Sequence, residues 1–211
     1  MGCTSRNRIS LVGKSSQPYH GLMQRCSWCG NDPLYVAYHD KEWGTPVHDE
    51  KLHFEFLLLE TQQAGLSWIT VLRKREAYRS AFAGFDAGAV ARFSAKKIEK
   101  LLLDPGIIRN RLKIEAAVKN AKQFLSVQEE WGSFDHYLWH FADGSPVNAG
   151  RRGDGAVPAT TPLSDAVSKD MKSRGFAFVG STTIYSHLQA VGVVNDHDIS
   201  CFRWIELSQK A

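Results

Sequence analysis

Leu57-Leu-Leu-Glu-Thr-Gln-Gln-Ala-Gly-Leu-Ser-Trp68 is the stretch on which the reading of the fold depends. Phe54 and Phe56 extend its apolar run upstream, leaving almost no polar face. A helix that is apolar all round is a buried helix. Glu60 closes the run, and a carboxylate carried into a core needs a cation, several hydrogen bonds or a proton. Gln62, Gln63, a Gly65 break, Leu66 and Trp68 follow. Two readings stand. In one, a buried acid, a polar loop and an aromatic wall line a pocket. In the other, the segment is a helix C-terminus with a capping glycine, and Glu60 occupies its one wet face.

Outward from this stretch the pattern is helical. Helices are expected over 50–64, 67–83, 87–92, 95–103, 107–125, 131–142, 163–173 and 182–192, with a short one after Asn195. Ser94 and Ser164 are the expected caps of two of them. Asn31-Asp32-Pro33 marks a turn and the start of a further short helix through Tyr38. No run of period-two alternation is evident, so the fold class is all-α. Residues 143–162 are rich in turn formers and read as a long loop.

The 211 residues suit one domain, and 43% hydrophobic residues suffice for a sizeable core. No apolar run reaches the length of a membrane span. Four cysteines in a chain without a secretory signal point to metal binding or plain thiols rather than a disulfide scaffold. The net charge of +4 permits a polyanionic partner without requiring one. Residues 1–22 hold no acidic residue and are rich in Ser, Arg and Gly, a composition that does not build a core. They read as a flexible basic extension or targeting segment, set apart from residues 23–204 and from a tail over 205–211.

Three further groups carry chemistry. Trp28, Tyr35, Tyr38 and Trp43 are close in sequence, either as core plugs or as a stacking surface for a planar ligand, with the first the commoner case. Ala95–Lys122 carries eight basic and three acidic residues. At its centre lies Leu103-Asp-Pro-Gly-Ile-Ile-Arg-Asn-Arg111 between two helical patterns. Such a glycine turn opening a helix suits phosphate, and the sequence is similar to a helix-hairpin-helix; a solvated basic helix pair is the plain alternative. His197 and Cys201 are four residues apart, which is metal-ligand spacing. Cys26 with either His39 or Cys29 could complete a tetrahedral set, and spacing alone does not choose.

Several blocks occur together in order: Arg25-Cys26-x-Trp28, Asp32-Pro-Leu-Tyr-x-Ala-Tyr-His-Asp-x-Glu-Trp-Gly44, Glu60-x-Gln-Gln-Ala-Gly-Leu-Ser-Trp68, Gly106-Ile-Ile-Arg109, Arg174-Gly-Phe-x-Phe-Val-Gly180 and Val194-Asn-Asp-His197. With them the chain resembles the DNA-3-methyladenine glycosylase I family of the helix-hairpin-helix glycosylase superfamily, over about residues 23–204. The resemblance implies a structural zinc held by Cys26, His39, His197 and Cys201, joining the N- and C-terminal segments. It implies a base pocket of Trp28, Tyr38, Trp43, Glu60 and Trp68, with Glu60 the residue of the reaction. DNA contacts are expected from Leu66, Gly106, Arg109 and Arg111. The implied activity is hydrolytic excision of 3-methyladenine from double-stranded DNA, without lyase chemistry, by a monomer that needs no membrane. A cytoplasmic setting follows, or an organellar or nuclear one if residues 1–22 address the chain. The contrasting expectation is a non-catalytic module of the same fold that only binds alkylation damage.

Overall fold

The computed structural model describes residues 24–151 and 157–209. The extension over 1–22 lies outside them. The fold is all-α, with helices α1 (Pro33–Lys41), α2 (Glu50–Gln63), α3 (Trp68–Leu72), α4 (Arg75–Ala81), α5 (Ala87–Ala91), α6 (Ala95–Leu102), α7 (Arg111–Trp131), α8 (Phe134–His140), α9 (Pro162–Ser173), α10 (Ser181–Ala190) and α11 (Phe202–Ser208). No described helix is long and apolar enough to cross a membrane.

Helix α2 is the centre. Ten consecutive residues, His53 to Gln62, are buried, as an apolar surface without a wet face requires. It packs against α10, α7, α3 and α8. Phe54 meets Phe124 of α7 edge to face at 5.3 Å. The Asp49 side chain caps the helix start by accepting from Leu52 N–H at 2.8 Å.

The departures from the expected helices have local causes. The expected helix over 67–83 breaks into α3 and α4 around Arg73–Lys74. Asn110 accepts from Lys113 N–H at 3.2 Å, so α7 starts at Arg111 rather than 107 and runs on to Trp131. Ser133 then caps α8. Ser94 caps α6 as expected. The α9 cap is Thr161 rather than Ser164, which is the third helical residue and returns the bond in a capping box. Two parallel two-residue strands pair Val147 with Val194 and Asn148 with Asn195. Segments this short leave no alternation to read, and they tie the expected loop over 143–162 to the C-terminal segment. The helix expected after Asn195 starts only at Phe202.

Candidate functional site

Both readings of the opening stretch hold part of the truth. Helix α2 does end at a glycine: Ala64 is its cap, and Gly65 has a left-handed φ of 79°. Glu60, however, is on no wet face. It is 3% exposed and lies against a cavity of about 200 Å³. The cavity is lined by Trp28, Tyr35, Tyr38, Trp43, Glu60, Gln63 and Trp68, and by Arg151, Val157, Ser186 and Gln189. All five expected pocket residues therefore meet. Tyr35, the fourth aromatic of the candidate stacking surface, joins them from three residues before Tyr38 on α1. Gln189, Ser186 and Arg151 come from remote parts of the chain and carry no sequence signal.

The aromatic wall is continuous. Trp28 lies 4.9 Å from Tyr35 and 4.9 Å from Trp43, centroid to centroid. Tyr38 lies 5.4 Å from Trp68. Glu60 Oε2 is sealed from solvent without a hydrogen-bond partner among the described residues, as are the indole N–H groups of Trp28 and Trp68. Among the described residues no cation is paired with Glu60, and burial raises its carboxyl from the ordinary range to about 8. A cavity of electron-rich ring faces with one sequestered carboxyl is complementary to a planar cation.

Beside this cavity is a second cluster. Cys26, His39, His197 and Cys201 are all buried, and their ligand atoms lie within 4.8 Å of one another. Cys26 Sγ is 3.5 Å from His197 Nδ1. Cys201 Sγ is 3.5 Å from His39 Nε2 and 3.6 Å from His197 Nδ1. The far ring nitrogens are engaged. His39 Nδ1 lies 2.8 Å from Asp40 Oδ1, and His197 Nε2 donates to the Trp43 carbonyl at 3.0 Å. Those bonds direct the lone pairs of His39 Nε2 and His197 Nδ1 toward the two sulfurs. Arg25 in turn holds Asp40 through contacts of 2.7 to 3.0 Å, which keeps that carboxylate below its usual range. The Cys201 thiol is lowered by the neighbouring Cys26 thiol and by both histidines. The set can hold a metal ion. Cys29 is outside it: its thiol turns to the Cys26 carbonyl at 3.2 Å. The cluster abuts the cavity, since Trp28, Tyr38 and Trp43 are near neighbours in sequence of Cys26 and His39, and His197 grips Trp43.

The expected DNA-contacting residues lie apart from the cavity lining. Leu66 is 39% exposed at the tip of the α2–α3 loop. Its N–H donates to Gln63 O at 2.6 Å, and its carbonyl accepts from Gln63 Nε2 at 3.2 Å. Residues 103–110 join α6 to α7. A Cβ on Gly106 would come within 2.9 Å of Ala77 Cβ, so this glycine is required by close packing. The inner amides of the turn are already used, Gly106 N–H by Asp104 Oδ1 at 2.7 Å and Ile108 N–H by Tyr78 Oη at 3.0 Å. Arg109 is exposed without a side-chain partner among the described residues. Arg111 is held by Glu99 at 2.8 and 3.0 Å.

Comparison with known proteins agrees with this geometry. The methyladenine glycosylase family profile matches residues 28–204. DNA-3-methyladenine glycosylase 1 of Escherichia coli (strain K12) is 48% identical over 179 residues, covering 85% of this chain and 96% of that protein. DNA-3-methyladenine glycosylase of Haemophilus influenzae is 45% identical, covering 85% and 97%. A crystal structure of 3-methyladenine DNA glycosylase I superposes with a TM-score of 0.82 at 49% identity, covering 85% and 98%. The Staphylococcus aureus 3-methyladenine DNA glycosylase I, whose structure concerns recognition of 3-methyladenine, superposes with a TM-score of 0.83 at 38% identity, covering 86% and 97%. The aromatic and acidic cavity, the buried Cys/His cluster and these likenesses lead to one assignment: the chain belongs to the methyladenine glycosylase family.

Proposed function

We propose that this protein is a DNA-3-methyladenine glycosylase, a base-excision repair enzyme that takes the alkylated base into the Trp28–Tyr38–Trp43–Trp68 cavity and cleaves its N-glycosidic bond. The observation that carries the reading is Glu60, a buried carboxyl inside an aromatic cavity and without a counter-cation among the described residues. The base must leave the duplex to be reached. Methylation at N3 makes adenine cationic, so the bond to the sugar is already weak and the base departs neutral. Selection is then the harder task. Ring faces attract the cation by roughly 0.5–2 kcal/mol per contact. Glu60, ionised when the base enters, supplies the opposite charge and accepts from the exocyclic amine. Ordinary adenine brings no positive charge, so beside it Glu60 would keep its proton and the charge attraction that selects the alkylated base would be absent.

Hydrolysis without lyase chemistry is favoured because, among the described residues, no lysine lines the cavity. Asp135 is not a ready base for water. His53 and His48 hold it at 3.0 Å each, and it does not line the cavity. Asp196 is occupied by Arg151, Tyr185 and Gln189.

Zinc is the metal that suits the Cys/His cluster. Two thiolates and two imidazoles at ordinary zinc distances give sulfur–nitrogen edges of about 3.6 Å in a tetrahedron, in line with the 3.5 to 3.6 Å separations. Four protein ligands leave no position for a reacting water, so the role is structural. It would join Cys26 near the start of the domain to Cys201 near its end; the tail expected over 205–211 begins inside α11, whose Leu207 is buried, so the domain runs on through that helix rather than stopping at 204.

Double-stranded DNA would be held by a helix-hairpin-helix formed from α6, residues 103–110 and α7, with Gly106 shaping the turn and Arg109 and Arg111 meeting phosphate. Leu66 would enter the gap left by the base. The aromatic cavity, the hairpin and the metal cluster are each built from a single chain, which suits a monomer. A cytoplasmic site of action goes with this reading, or an organellar or nuclear one if residues 1–22 direct the chain there.

The test is incubation with methylated DNA and chromatography of the released bases. Free 3-methyladenine in catalytic amounts is expected. Tight binding with no release, even at stoichiometric protein, would establish a damage-binding module instead.

A further inference from the structure

Lys113 is a buried cation that the excision chemistry does not use. It sits in the first turn of α7, where the helix dipole disfavours positive charge. It is 6% exposed, and no carboxylate pairs with it among the described residues. Its ammonium reaches the other end of a different helix. It donates to the carbonyls of Gln62 at 2.7 Å and Ala64 at 2.6 Å, which are orphan acceptors at the C-terminus of α2. The contact is returned, because Gln62 Nε2 donates to the Lys113 carbonyl at 3.0 Å.

The chain of bonds continues into the hairpin. Gln62 Oε1 accepts from Tyr78 Oη at 3.3 Å, and Tyr78 Oη accepts from Ile108 N–H at 3.0 Å. Gln62 and Tyr78 are both 0% exposed. From the hairpin backbone at Ile108 to the loop at Ala64 the polar contacts are continuous, buried at the inner joints through Gln62 and part-buried at the two ends, Ile108 and Ala64. Glu60 lies two residues before Gln62, and Leu66 two residues after Ala64.

We infer that Lys113 is a positioning residue: with Gln62 and Tyr78 it locks the α2 terminus to the hairpin, so that gripping the DNA backbone sets the register of Leu66 and Glu60 against the extruded base. The inference rests on the proposed function for the roles of hairpin, wedge and pocket. Its experiment does not depend on turnover.

The probe is a duplex carrying a stable abasic analogue beside 2-aminopurine, whose fluorescence reports unstacking when Leu66 enters the gap. The wild-type protein should change that fluorescence. Lys113→Met, which keeps the aliphatic bulk, should bind the same duplex with unaltered affinity while losing most of the change, and Lys113→Arg should restore it. On duplex holding 3-methyladenine, single-turnover excision by Lys113→Met should fall roughly tenfold or more, as for a reacting group displaced by a fraction of an ångström. Binding of a free cationic base should be untouched. Tyr78→Phe cuts the same circuit at its other end and serves if Lys113→Met does not fold. A full fluorescence change in a folded variant overturns the inference, as does parallel loss of duplex and base binding. So does a wild-type protein that binds without any change. A wild type that releases no base from methylated DNA instead overturns the glycosylase assignment and leaves the fluorescence comparison intact.

Discussion

In the free protein Glu60 holds a proton at neutral pH, because burial without a partner raises its carboxyl to about 8. The folded-state value lies above the ordinary 4.5. The stability contributed by burying the neutral acid is therefore fully present below 4.5 and is lost as pH rises through about 8. Binding has the opposite preference, since a cationic base needs the carboxylate. Adenine methylated at both N3 and N9 carries a fixed positive charge. At pH 7 its binding should release close to one proton, and its affinity should rise with pH and level off above about 8. Calorimetry in buffers of different ionisation enthalpy measures the proton directly; absence of release would mean that Glu60 is already ionised. Glu60→Gln keeps the shape and removes the charge. It should weaken this cation by about 2 kcal/mol or more and leave undamaged duplex unaffected. Equal losses in the two measurements would assign Glu60 a structural role only.

Elements act here through their ends. The α2 terminus delivers Glu60, Gln63 and the Leu66 loop within a few residues, and α1 carries Tyr35, Tyr38 and His39 on little more than one turn. The α6–α7 turn uses its inner amides on Asp104 and Tyr78, so in the proposed DNA complex phosphate would be met from its rim. Arg109 has no competing side chain, whereas Arg111 is engaged with Glu99 on both guanidinium arms. Arg109→Ala should thus weaken any duplex uniformly and lower the salt slope by about one. Arg111→Ala should have the smaller effect, because DNA must displace Glu99 to reach it. Filter binding over a salt series checks both, and a larger loss for Arg111 would show that the Glu99 pair opens on DNA. Gly106→Ala forces Ala77 and Asp104 aside. It should cost about 1–3 kcal/mol of stability by overpacking, readable as a lowered urea midpoint.

Across the whole molecule, the Cys/His cluster joins segments some 160 to 170 residues apart in sequence, as in the pairs Cys201–His39 and Cys26–His197. The same histidine that faces Cys26 and Cys201 holds the Trp43 carbonyl, and Asp196 beside it holds Arg151 and Gln189 at the cavity. Metal removal should therefore loosen the pocket together with the fold. A chelator is expected to lower the melting temperature and to expose the indoles of Trp28 and Trp43 to acrylamide quenching, with recovery on adding zinc. Chemistry lost with the fold and the quenching unchanged would instead place the metal in the reaction.

By itself the sequence determined that the chain is helical, that α2 is buried, and where many helices begin. Those outcomes follow from local periodicity and capping by residues such as Asp32, Asp49 and Ser94. Through ordered blocks of residues it also pointed to the pocket aromatics, to Glu60 and to the four metal-ligating candidates. Only the tertiary structure decided between a wet and a buried Glu60, because burial depends on α10 and α7 closing over α2. It alone separated Cys29 from the ligand set, since spacing does not say which way a thiol turns. Arg151, Ser186 and Gln189 join the cavity, and Lys113 joins the α2 terminus, through contacts between distant segments. Such contacts arise from packing, and packing leaves no mark in local sequence.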